Sequence, residues 1–145
     1  MGVPFFCPDA PPLKRNPLFL YSHDYFQRPN PFRADIVVAI DPVIDKKVEA
    51  LVLMESQFVE GGAMGKPNPA LDDPAGRDKK RQGVREAFRR RFASVADQNR
   101  AKLIETYGPA GKDVKYAEAF EICEYGARPN AQELRRLFPF LPAKA

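Results

Sequence analysis

The residues best placed for chemistry lie in one short run, Val52-Leu53-Met54-Glu55-Ser56-Gln57-Phe58, where an apolar stretch ends in polar groups and a Gly-rich loop follows. That order of residue types suits the rim of a site. Glu55, Ser56 and Gln57 can bond neighbouring backbone or orient a residue from elsewhere, but they contain no base, nucleophile and orienter set. They also end a predicted helix, where the dipole has the wrong sign for an anion. Glu118 and Glu121 in "YAEAFE" assemble no catalytic set either. His23 beside Asp24 has the residue types of a general base and its orienting carboxylate. Neighbours on extended backbone point to opposite faces, so this pair reads as packing or surface in an aromatic loop. Asp41 stands at the end of an apolar run, where α/β proteins place functional groups, yet Asp41-Pro42 also has the residue types of a helix start.

Composition narrows the chemistry further. His23 is the only histidine, which excludes a His-rich zinc site. Cys7 and Cys123 lie far apart and outside any CxxC, so they read as packed thiols. The run "RDKKRQGVREAFRRRF" from Arg77 to Phe92 suits either a grip on phosphate or nucleic acid or the solvated face of a helix. Asp78, Glu86, Asp97 and Glu105 dilute its charge and no aromatic platform interleaves on the polar side, which favours the helix face. The net charge of +4, from 23 basic and 19 acidic residues, is mild. No phosphate loop, nucleophile elbow or dinucleotide fingerprint occurs. No apolar run approaches the roughly 20 residues of a membrane helix. The start, "MGVPFFCPDAPP", lacks a basic end and an apolar core of signal-peptide length, and Phe6 stands where a myristoylation motif has Ser or Thr. A cytoplasmic protein is expected.

The elements that must position these residues follow from periodicity. A chain of 145 residues with 44% hydrophobic residues suits one domain with a real core. Residues 1–34 hold seven of the 15 prolines and read as an extended segment, interrupted by a strand at Leu18–Ser22. Ala34–Ile40, "ADIVVAI", is continuously apolar and predicts a strand covered on both faces, as in a parallel sheet. A helix should run from Pro42 to about Ser56, with Ile44, Val48 and Leu51 inward and Asp45, Lys46 and Glu49 outward. Residues 59–76 read as a flexible loop. A long helix, about Asp78 to Thr106, carries Val84, Phe88, Phe92 and Val95 as a stripe and stops at Gly108-Pro109. Lys115–Cys123 alternates imperfectly as a strand, with Ala117, Ala119 and Cys123 on one parity and Phe120 and Ile122 on the other. Ala131–Leu137 closes as a short helix.

One longer stretch, "FRADIVVAIDPVIDKKVEALVLMESQF", resembles the second half of the LmbE-like, or PIG-L, deacetylase family. These are zinc hydrolases that remove acetyl groups from N-acetylglucosamine-type sugars and related amides. The likeness lies in the apolar strand, its terminal Asp41, and a helix with Lys47, Ala50-Leu51 and the final Ser56-Gln57. "PFFCPDAPPLKRNPLFLYS", "YAEAFEICEYG" and "LFPFLP" are similar too, so the resemblance covers most of the chain. It implies an α/β fold: a partial three-layer Rossmann-like sheet with helices whose N-terminal strands are missing. Residues 1–145 would form the C-terminal part of a single such domain.

The departures are as informative. Met54 stands where the family has the His of His-x-Ser-Gln, and the His-Pro-Asp-Asp and His-Pro-Asp-His zinc motifs have no counterpart. No catalytic, cofactor-binding or metal residue is therefore carried over. The family uses a zinc-activated water and an Asp base on an N-acetylated sugar or conjugate; zinc is not expected for this chain alone. The chain starts about where the family has passed its second motif, so Met1 reads as an internal start or the product of a truncated gene. The expectation is a truncated, inactive family member. The alternative is a non-catalytic assembly module that pairs through an open sheet edge with a complete homologue or a separate N-terminal half. Nucleic-acid binding through residues 77–91 is the weakest reading. Neither nucleic acid nor a membrane is an expected partner.

Overall fold

The apolar run forms the strand it predicts, β2 (Ile36–Ala39). Ile36 and Val37 are buried and Val38 and Ala39 half-buried, so both parities are covered and no polar alternation is needed. The structure, a computed structural model, describes residues 9, 11 and 13–142; Cys7 and the Met1-Gly2 start lie outside the described residues. β1 (Leu20–Ser22) and β3 (Ala117–Ile122) complete a three-stranded sheet in the order β1-β3-β2. β1 pairs antiparallel with β3, placing Tyr21 opposite Glu121. The Asp35 N–H donates to the Phe120 carbonyl at 3.0 Å and the Ile40 N–H to the Tyr116 carbonyl at 2.9 Å, so β2 also runs antiparallel to β3. The described strands of this α/β chain are thus antiparallel where the apolar run suggests a parallel sheet. Burial on both faces produces such a run whatever the strand direction. The chain divides into two compact units, residues 37–119 and residues 1–36 with 120–145.

Residues 37–119 are mainly helical. A 3₁₀ turn at Asp41–Val43 leads into α1 (Ile44–Val52). Asp41 does not cap this helix. Its carboxylate accepts the backbone N–H groups of Lys115 at 2.9 Å and Tyr116 at 3.3 Å. The expected single helix to Ser56 breaks at Leu53-Met54, and α2 (Glu55–Phe58) is a separate turn. α3 (Pro74–Gln98) starts earlier than its apolar stripe suggests, because Asp73 accepts the Gly76 N–H at 3.0 Å and Pro74 fits the first helical position. Asn99 interrupts the predicted long helix, and α4 (Arg100–Tyr107) follows. Gly108, with φ of 63°, ends it. Ile40, Ile44, Val48 and Phe92 form the core cluster, with Val38, Leu51, Phe88 and Tyr116 packed against it. The segment 59–76 contains 3₁₀ turns at Gly62–Met64 and Pro69–Leu71, and Val59 and Leu71 are buried, so apolar anchors punctuate the expected loop.

The other unit holds β1 and the later part of β3. The Cys123 N–H donates to the Phe19 carbonyl at 3.0 Å and the Ala127 N–H to the Pro17 carbonyl at 2.9 Å, which extends the strand pairing beyond β1. Asp35 accepts the Ile122 N–H at 2.9 Å and pairs with Arg33. α5 (Ala131–Leu137) matches its predicted bounds. Asn130 and Glu133 form a reciprocal capping box at its start. Of the two parities of the segment, the one with Ala117, Ala119 and Cys123 is the buried one. Among the described residues, no helix is long and apolar enough to cross a membrane.

Leu103 is fully buried on α4. Leu103→Ala should destabilise the chain by about 2–5 kcal/mol through lost burial and the cavity left behind. Urea unfolding followed by circular dichroism measures this, and a loss under about 1 kcal/mol would contradict the packing described.

Candidate functional site

The run 52–58 is built by a local break. Met54 adopts φ of −82° and ψ of 61°, outside the helical region, and its carbonyl accepts the Gln57 and Phe58 N–H groups at 3.0 Å each. Phe58 then packs edge-on against Phe88 with ring centroids 4.8 Å apart. That contact turns α2 towards α3. Ser56 and Gln57 are exposed. The Gln57 side chain lies over Gly62, where a Cβ would come within 3.0 Å of its nitrogen.

Glu55 is the charged centre of this rim. Its carboxylate is held by Arg81, and by Arg77 at 3.3 Å; Arg77 also reaches Glu60 at 3.4 Å. The guanidinium of Arg81 keeps the Glu55 carboxyl below the ordinary carboxylate range. The same pattern continues along α3. Arg85 grips Glu49 through two bonds of 2.6 and 2.8 Å, and Arg89 faces Asp45. Arg85 holds the Glu49 carboxyl below its usual value, and Glu55 and Glu49 raise Arg81 and Arg85 in turn. Arg77, Arg81, Arg85 and Arg89 recur every fourth residue and so share one face of α3. These four arginines of the basic run therefore form an ion-pair ladder to α1 and α2. Its signal was present in the spacing of these arginines and in Asp45 and Glu49, themselves four apart.

The remaining candidates are also structural. Asp41 ties its turn to the start of β3. Glu118 pairs with Lys47 at 2.8 Å, and the same ammonium lies 5.1 Å from the Phe92 ring centroid. Glu121 accepts the Arg33 N–H at 3.1 Å. Asp24 accepts the Phe26 N–H at 2.9 Å, a turn contact, while the His23 ring stands edge-on to Tyr25 and Phe32 at 4.9 and 5.0 Å. Cys123 is a buried free thiol, and its contact pushes the Tyr21 phenol above its usual range. Arg33, Asp35, Glu121, Glu124 and Arg128 line an open cleft of about 490 Å³ that the sequence does not announce, because it gathers residues some 90 positions apart.

Among the described residues, no group of three or more His, Cys, Asp or Glu is placed to hold a metal ion. They do not fit the zinc that the resemblance implies. Comparisons with protein-family models, with curated proteins and with solved structures find no match.

The ladder makes stability depend on pH. Glu49 and Glu55 have folded-state pKa values below their unfolded ones, so their pairing is fully present above about pH 4.5 and is lost as pH falls through the lower folded value. The urea midpoint should drop on acidification below pH 4.5, and the E49Q/E55Q double variant should show a shallower drop. Parallel curves for the variant and the natural chain would contradict the ladder.

Proposed function

We propose that this chain forms the C-terminal part of an LmbE-like (PIG-L) deacetylase domain, a partial three-layer Rossmann-like sheet acting in the cytoplasm. Its parent reaction is zinc-dependent hydrolysis of N-acetyl groups on N-acetylglucosamine-type sugars or conjugates. The observation that supports this reading is the Asp41 clasp. It joins two of the stretches that carry the resemblance, "ADIVVAIDP" and "YAEAFEICEYG", within residues 37–119. In this reading the chain supplies pocket wall, with Ser56 and Gln57 at its rim, and the zinc ligands and base come from elsewhere. The metal's chemistry is to activate the attacking water; this chain's residues shape and close the space beside it.

A second reading, an assembly module on a complete homologue, draws on the place of β2 at the end of the strand order. An edge strand can template another, although the Ala39 N–H of β2 already donates to the Tyr107 hydroxyl at 3.0 Å.

The purified chain with added zinc should release no acetate from an N-acetylglucosamine conjugate; chelator-sensitive release would overturn the proposal. The intact mass in the source organism separates the two readings. A mass exceeding the 16.3 kDa of this chain by about 10 kDa or more supports the deacetylase reading. A mass of 16.3 kDa with co-purification of a protein bearing His-Pro-Asp-Asp supports the assembly reading.

A further inference from the structure

Arginines in this chain mostly meet carboxylates: Arg33, Arg77, Arg81, Arg85, Arg89, Arg90 and Arg100 each face an Asp or Glu. Arg28 and Arg135 do not, nor do three others, Arg15, Arg128 and Arg136. Among the described residues their guanidiniums form no ion pair and no hydrogen bond. All three line one cleft of about 470 Å³ between the extended segment at Arg15–Leu18 and α5. That size falls in the range of about 300–1,000 Å³ usual for small-molecule sites.

The cleft is framed rather than loose. The Asn16 side-chain amide donates to the Tyr125 carbonyl at 3.0 Å, and the Ala127 N–H to the Pro17 carbonyl at 2.9 Å. These bonds fix the extended segment beside the turn that leads to α5. Glu133 is the one carboxylate of the lining, and it is engaged by the Asn130 N–H at 2.9 Å in the capping box. Three arginines against one glutamate leave the lining at a net +2. Leu18, Leu137 and Phe138 supply an apolar wall.

We propose that this cleft binds a small soluble organic phosphate, a phosphate monoester on an apolar or ring-bearing body. A phosphate monoester carries about −1.5 to −2 at neutral pH, which matches the lining; a carboxylate would leave positive charge over. Guanidinium forks suit phosphate oxygens bidentately, and the apolar wall takes the organic group. The proposal does not rest on the deacetylase reading.

Phenyl phosphate titrated into the ¹⁵N-labelled chain tests it. Saturable shifts are expected at the amides of Leu18, Ala127 and Leu137, weakening as NaCl rises. Arg128→Gln and Arg136→Gln should each weaken binding about tenfold, the usual value of a hydrogen bond to a charged group. Both side chains are exposed, so the spectra of the variants should otherwise be unchanged. Inorganic phosphate should bind more weakly and benzyl alcohol should not saturate. The proposal fails if phenyl phosphate gives no saturable shift, if added salt has no effect, or if the variants bind as the natural chain does. It also fails if benzyl alcohol or inorganic phosphate binds equally well. Preferential capture by vesicles containing phosphatidic acid would assign the cleft to a lipid surface instead and overturn the soluble ligand.

Discussion

The packing of α3 on α1 is the constraint on which residues 37–119 depend. α3 runs for 25 residues and is polar around most of its surface. Val84, Phe88, Phe92, Val95 and Ala96 give it an inward stripe, and Phe92 joins Ile40, Ile44 and Val48 in the core. Beside that stripe, Arg85 meets Glu49 and Arg89 meets Asp45. A step of four on one helix matches a step of four on the other in the opposite direction. Half-exposed ion pairs of this kind contribute about 0–1 kcal/mol each. Their effect on stability is therefore small, and because both steps are four, a shift by one turn would still set arginines against carboxylates, with one rung fewer. Burial of the stripe provides the larger stabilisation.

The carboxylates that could suggest catalysis are consumed by this architecture. Asp41 holds two backbone N–H groups, Glu55 two guanidiniums, Glu118 an ammonium and Glu121 a backbone N–H. A general acid or base needs a carboxylate whose proton is free to move near the operating pH. Pairing with Arg81 drives Glu55 the other way, towards permanent ionisation.

Helix interruptions were the least legible feature. Leu53 and Met54 are good helix formers, and nothing local demands a break between α1 and α2. The break follows from distant partners: Phe58 reaches Phe88, and Glu55 reaches Arg77 and Arg81. A continuous helix would carry these groups elsewhere around its axis. Asn99 is similar, since Arg100 beside it turns to bond the carbonyls of Gly111 and Val114 at 2.9 and 2.7 Å.

The sequence by itself determined the type of the main segments, since the continuous run at 34–40, the alternation at 115–123 and the short helix at 131–137 rest on local signals, but not where the helices break. It also determined that one histidine and two separated cysteines cannot build a His-rich zinc site or a zinc knuckle. Tertiary structure alone decided the antiparallel sheet order, the role of Asp41 and the pairing of the basic run. It alone placed Arg15, Arg128 and Arg136 around one cleft. The physical reason is range. Burial pattern and capping act within a few residues, whereas strand direction and charge pairing depend on which distant residues the packed chain brings within bonding distance.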